Sequence, residues 1–232
     1  MHALLTYFSM SGNTSYEPFI ARWLRRAESA GFCLPVSILT DLDTDADHHG
    51  VPVVRADWRE HQDVVRAGNH FDRKSALICA ALPSLPPCVI FDLDTDIALN
   101  PTEELLAYWY EPFAMPPDSG KRTIPWKDER GQFIREHSSS VMVFGQPENE
   151  GVRHAIVDNY RCAWNWLREN STGLPKWLDA IREQRAWSLL HYWAKAPLMP
   201  ETLNWSGSHY PPNPAAKIVH YHGGSKHTLL FP

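Results

Sequence analysis

Cys88 to Phe91 are four apolar residues in a row with no polar alternation, followed at once by acids at Asp92, Asp94 and Asp96. A strand buried on one face alternates, whereas a strand covered on both faces reads as a continuous apolar run, and sheets built from such strands are mostly parallel and flanked by helices. The run therefore asks for an α/β layered fold with this strand in its interior. Acids at its carboxyl end then project into the crevice where open α/β sheets bind ligands.

The rest of the chain fits that frame. Ala3 to Phe8 reads as a first strand ending in Ser-Met-Ser-Gly-Asn, and Glu17 to Ala30 repeats Phe19, Ile20, Trp23, Leu24 and Ala27 at helical spacing, with Arg22, Arg25 and Arg26 on other faces as a solvated basic surface. Cys33 to Leu39 and Val51 to Val54 read as further strands, and Lys74 to Leu82 as a helix stopped by Pro83. Pro112 to Arg135 is rich in proline, glycine and charge and reads as a long excursion beside a site. Ser140 to Phe144 returns as a strand, 154–168 and 177–193 as helices, and Lys217 to Tyr221 as a last strand. A chain of 232 residues, 44% of them apolar, can bury one sizeable core, so a single domain is expected.

A net charge of -5 gives no basic footprint for nucleic acid, which is excluded as a partner. No run reaches the roughly 20 apolar residues of a membrane span, and the first residues carry no signal-peptide pattern, so the expectation is a cytoplasmic protein without a transmembrane segment. Cys33, Cys79, Cys88 and Cys162 lie far apart and read as buried free thiols. Ten tryptophans, eight tyrosines and nine phenylalanines are an unusual load. Aromatic rings can lie on the C–H faces of sugars, though they more often fill cores.

The pentapeptide Asp-Leu-Asp-Thr-Asp occurs twice, at Asp41 to Asp45 and at Asp92 to Asp96. The first copy runs into Ala-Asp-His-His-Gly and reads as a hydrated loop, because exposed acids need no partner. The second is delivered by an apolar strand, where repulsion and desolvation among carboxylates call for a cation. Which acids hold it stays open: Asp92 with Asp94, or Asp94 with Asp96.

His220-Tyr-His-Gly-Gly-Ser-Lys226 matches the His-x-x-Gly-x-x-Lys signature of glycosyltransferase family 8, and together with Asp-x-Asp it makes the chain resemble the GT-A nucleotide-sugar glycosyltransferases. Arg73 to Leu77, Ser138 to Phe144, Glu183-Gln184 and Leu198 to Trp205 resemble further stretches of that family in the same order. The resemblance implies a GT-A type α/β fold, a Rossmann-like mixed sheet flanked by helices in a single domain, with a nucleotide-sugar-binding half at 1–96 and an acceptor-shaping half at 97–232. It implies transfer of a hexose, with retention, from a nucleotide diphosphate sugar, UDP-linked, to a glycan, lipid-linked or protein acceptor. Mn²⁺ or Mg²⁺ would be held by Asp94, Asp96 and His220, with Asp92 as the alternative acid. Lys74, Gly223 and Lys226 would contact the donor, and Gln184 would lie near the anomeric carbon; Lys74 also reads as a plain helix-start cation and Gln184 as a helix cap.

"VIFDLD" also resembles the first motif of haloacid-dehalogenase-type phosphotransferases, which would make Asp92 a nucleophile and Asp94 an acid/base. That family continues with Gly-Thr where Thr95-Asp96 stand here. A relative that binds nucleotide without turnover is a third reading.

Overall fold

The run 88–91 forms β4 (Cys88–Asp92), an interior strand between β1 (His2–Thr6), with which it is parallel, and β8 (Val141–Phe144), with which it is antiparallel. Its four apolar residues are completely buried, as a strand covered on both faces requires. The computed structural model describes residues 1–7, 17–66, 69–118, 122–146, 149, 151–171 and 182–221. On the other side of β1 lie β2 (Val36–Thr40) and β3 (Val53–Arg55), both parallel to it, giving the sheet order β3-β2-β1-β4-β8. The chain runs outward from β1 to β3 and then returns to the other edge of β1 with β4. Ligands of open α/β sheets bind at such a reversal, outside the carboxyl ends of the strands.

Helices cover both faces. On one face α1 (Glu17–Ser29) buries Phe19, Ile20, Trp23 and Ala27, the positions that its 3.6-residue period places on one side. The fully buried ring of Trp23 alone removes enough apolar surface to stabilise the fold by about 5 kcal/mol. On the other face α2 (His70–Ala81) is capped by the Asn69 side chain, which accepts from the backbone N–H of Phe71 and Asp72. There it packs with α4 (Gly151–Asn170) and α5 (Arg182–Trp193), around Tyr160, Trp164 and Trp187.

Beyond Asp92 the chain leaves the main sheet. Leu93 and Asp94 form a turn, locked by the Thr95 hydroxyl donating to the carbonyl of Asp92 at 2.6 Å, and Trp23 Nε1 donates to that hydroxyl in turn. The short strand β5 (Thr95–Ile97) then pairs antiparallel with β10 (Ile218–His220), which also pairs with β9 (Trp205–Ser206). This second sheet is what brings the far end of the chain to the acids: His220 lies opposite Thr95, and the Tyr221 N–H donates to the Asp94 carbonyl.

Several elements differ from the sequence reading. The excursion 112–135 contains a hairpin, β6 (Thr123–Lys127) and β7 (Phe133–Arg135), turned at Gly131 with a left-handed φ of 76°. A short α3 (Thr102–Leu106) follows β5. The residues 172–181, and with them the start of the helix expected at 177–193, lie outside the described residues. Of the four free thiols, Cys79 and Cys88 are buried, but Cys33 and Cys162 are exposed, because they stand at the surface rather than on the core-facing side of their segments. Among the described residues no helix is long and apolar enough to cross a membrane.

Candidate active site at the end of strand β4

Asp92 ends β4, Asp94 sits in the turn after it, and His220 ends β10. Among the described residues these three form a group whose ligand atoms all lie within 4.8 Å of one another. His220 Nε2 is 3.4 Å from Asp94 Oδ1, and the imidazole is buried while both carboxylates stay partly open. Two carboxylate oxygens and one imidazole nitrogen suit a hard or borderline divalent ion such as Mg²⁺ or Mn²⁺.

Asp96 lies elsewhere. It is 4% exposed and its Oδ2 accepts from Arg22 at 2.7 Å, with Arg26 Nε at 3.4 Å. Two of the three arginines read as a solvated face on α1 thus reach a buried acid; the turn at 93–94 had to be known before that could be seen.

Behind Asp92 lies a second layer of charge. Lys74, on α2, is 6% exposed and donates to Asp92 Oδ2 at 3.0 Å and to the Ser139 carbonyl and hydroxyl at 3.3 and 3.0 Å. Glu183 Oε1 is 3.7 Å from the same ammonium and accepts from the Ser139 hydroxyl. Burial pulls the Lys74 ammonium down, but Asp92 and Glu183 outweigh it and hold it above its ordinary value. Burial pushes the Glu183 carboxyl up, opposed by Lys74. The other Glu183 oxygen accepts from Ser75, which accepts from Trp187 Nε1, so the group is anchored to the aromatic core. Ser138, Ser139 and Ser140, which stand where the resembled family has Asn, Ser or Ala, and Gly, are all buried and hydrogen-bonded.

Gln184, next along α5, faces a different cluster. Its Nε2 donates to Glu136 Oε1 at 3.0 Å and lies 3.5 Å from Asp118 Oδ2. Both acids are buried, and Arg185 Nε is 3.9 Å from Glu136. Burial pushes the Glu136 carboxyl up to about 7, with Arg185 opposing and Asp118 reinforcing. With the amide N–H groups directed at carboxylates, the Gln184 carbonyl oxygen is the atom left to offer a ligand. Glu136 and Asp118 were not singled out from sequence: Asp118 lies in the aperiodic excursion and Glu136 directly after it, whereas Glu183 was read only as part of the resembled Glu183-Gln184 pair. Gly223 and Lys226 lie outside the described residues.

The first acidic pentapeptide is more ordered than a hydrated loop. Asp41 is buried and accepts from the backbone N–H of Asp43 and Thr44, while Arg55 donates to the carbonyls of Asp41 and Thr44. It caps a turn after β2.

No protein-family model matches this chain, and no curated protein matches it. Solved structures do. The galactosyltransferase LgtC, in complex with donor and acceptor sugar analogs, superposes with a TM-score of 0.62 over 97% of this chain and 88% of its own, at 9% identity. The chain has the GT-A glycosyltransferase fold. Mouse xyloside xylosyltransferase 1 in its apo form gives a TM-score of 0.56 at 11% identity, covering 96% of this chain and 97% of that one. The glycosyltransferase GlyE of Streptococcus pneumoniae gives 0.57 at 9% identity, covering 96% of this chain and 54% of that one. At such identities the likeness is one of fold. The GT-A fold also separates the two motif readings, since the haloacid-dehalogenase reading rested on "VIFDLD" alone.

Proposed function

We propose that the protein is a metal-dependent glycosyltransferase that moves a hexose from a nucleotide diphosphate sugar, UDP-linked, to a glycan acceptor with retention of configuration. The observation that carries the reading is the meeting of Asp92, Asp94 and His220 at the carboxyl end of β4 in a GT-A fold, with 125 residues of chain between the last two. In this reading Asp92, Asp94 and His220 hold Mn²⁺ or Mg²⁺, and Asp96 is a structural partner of Arg22. The donor set fits: two carboxylates supply charge and hard oxygens, and the buried imidazole is fixed by β10. When bound, such an ion stabilises the charge that develops on a departing diphosphate.

The chain's own residues supply the rest. Lys74 holds Asp92 in place, with Glu183 and Ser139 fixing the ammonium. Gln184 is held by Glu136 and presents its carbonyl oxygen to the donor sugar. Gly223 and Lys226 remain assigned to the donor diphosphate by the motif. The acceptor enters across the 97–232 half.

Isothermal titration and thermal shift with UDP and GDP, each with and without Mn²⁺, test this. A ligand at 100 times its dissociation constant stabilises by about 2.7 kcal/mol, a clear shift. The expected result is metal-dependent stabilisation by UDP, abolished by Asp92→Ala or Asp94→Ala and retained in Asp96→Ala. No nucleotide effect in any condition sinks the transferase reading; loss of Mn²⁺ binding in Asp96→Ala with Asp92→Ala unaffected sinks the choice of acids.

A further inference from the structure

A cleft of about 310 Å³ opens between the β6–β7 hairpin, α4 and the last turn of α5, at the small end of the roughly 300–1,000 Å³ typical of ligand sites. Its walls are aromatic: Trp126 from β6, Trp166 from α4, Tyr192 and Trp193 from α5. Trp126 and Trp166 meet at 71° with centroids 5.1 Å apart, and Trp166 and Trp193 at 86° with centroids 6.5 Å apart. Edge-to-face rings leave ring faces directed along different axes, so a flat apolar face can be received from more than one side. Trp193 is 42% exposed, a high value for the largest apolar side chain. The buried side chains of Ile134 and Leu189 close the floor.

The rim is polar and carries both signs. Asp128 and Glu129 line it, and Asp128 is held in place because its Oδ1 accepts from the backbone N–H of Arg130 and Gln132 in the hairpin turn. Lys127, the cation beside them, lies over the Phe133 ring at 5.2 Å. Ring faces for a C–H surface, with polar side chains of both signs beside them, the Asp128 carboxylate among them held by the hairpin turn, match a neutral pyranose. Its faces are apolar and its hydroxyls donate. A hydrocarbon chain would leave the carboxylates unused.

The cleft is joined to the candidate active site by two elements. Tyr192 is eight residues beyond Gln184 on α5, about 12 Å along the helix. Ile134 is two residues before Glu136, about 7 Å along an extended segment, and both side chains are buried on the same side. We infer that the cleft is a second carbohydrate subsite, which holds the distal part of a neutral glycan acceptor while the reacting end lies at Gln184. As an acceptor subsite it rests on the transfer reaction proposed above; as a sugar site it does not.

The test is titration of the full chain, without nucleotide or metal, with maltotriose, cellotriose, chitotriose and lactose, following the tryptophan indole N–H signals by NMR. At least one of these sugars is expected to shift Trp126, Trp166 and Trp193 saturably and leave the buried Trp23 and Trp187 unmoved. Trp193→Ala should weaken that binding about tenfold, Trp193→Phe should restore most of it, and Asp94→Ala should leave it unchanged. Because Trp193 is 42% exposed, its truncation costs less than that of a core tryptophan, and the unmoved Trp23 and Trp187 signals report that the core of the variant is intact. No shift with any of the four sugars, binding undiminished in Trp193→Ala, or a response to trilysine in place of the sugars overturns the subsite. Sugar binding in a protein that ignores UDP and Mn²⁺ leaves the subsite standing and removes the transferase reading.

Discussion

Replacing Glu136 by Gln should change how the stability of this protein depends on pH. Glu136 is 1% exposed, and burial raises its carboxyl from 4.5 to about 7. Because the folded value is the higher one, the folded state keeps this proton between pH 4.5 and 7 while the unfolded chain releases it. Stability from this group is therefore full below pH 4.5, falls as pH rises, and levels off above 7. A displacement of about 2.5 pH units corresponds to about 3 kcal/mol. His137 works in the opposite sense: burial, with His191 stacked on it at 4.1 Å, lowers its imidazole to about 3, so stability is gained as pH rises towards 6.5. The two slopes offset each other between about pH 4.5 and 6.5, and the wild type should be nearly flat there. Glu136→Gln keeps an oxygen for Gln184 to donate to and removes one slope. Urea denaturation followed by tryptophan fluorescence from pH 4.5 to 8 should show the variant improving relative to wild type by about 3 kcal/mol across the range, or about 6–12 °C in Tm. A difference between the two proteins that stays constant within about 0.5 kcal/mol would show that Glu136 ionises normally, and the reasoning about its burial would fail.

Two other substitutions probe the frame around the site. Lys74→Met leaves the buried Glu183 and the partly open Asp92 without their shared cation, and should cost about 3 kcal/mol by chemical denaturation; adding Glu183→Gln should recover part of that loss, and strictly additive costs would refute the coupling. Gly145→Ala would place a Cβ 2.4 Å from the carbonyl oxygens of Glu111 and Trp109, so a loss above about 3 kcal/mol is expected, against under about 1 kcal/mol for Gly151→Ala, whose nearest neighbour is the Asn149 side chain at 3.3 Å. A soluble Gly145→Ala protein with unchanged Tm would contradict the packing of that loop.

The parts of the fold that were legible in sequence are those whose burial is written in a period. The core positions of α1 recur at helical spacing, and β4 lacks alternation because both its faces are covered. The β6–β7 hairpin was not legible. Pro125 interrupts its first strand, its register shifts between Thr123 and Lys127, and three of its residues are exposed, so neither alternation nor turn chemistry marks it clearly. Tertiary packing against α4 and α5 holds it. The aromatic load divides in the same way: Trp23, Trp164 and Trp187 are core, whereas Trp126, Trp166 and Trp193 share a cleft that joins three distant segments.

The three acids at 92, 94 and 96 show why spacing alone left the register of the site open. Residues two apart share a face only while a strand continues, and here it stops: β4 ends at Asp92, the chain turns, and β5 begins at Thr95 in another sheet. Each acid then meets whatever cation the fold brings to it. Asp96 meets Arg22, from a helix 74 residues earlier, whose guanidinium donates to it at 2.7 Å. Asp92 meets Lys74, itself shared with Glu183. Asp94 faces the His220 ring, whose Nε2 lies 3.4 Å from its Oδ1. Asp96 is thus tied to two arginines of α1, whereas Asp92 and Asp94 share the end of β4 with His220. On the proposal above the cation belongs where two carboxylates and an imidazole converge, and that convergence, set by α1, α2 and β10 rather than by the motif, distinguishes acids that look identical in sequence.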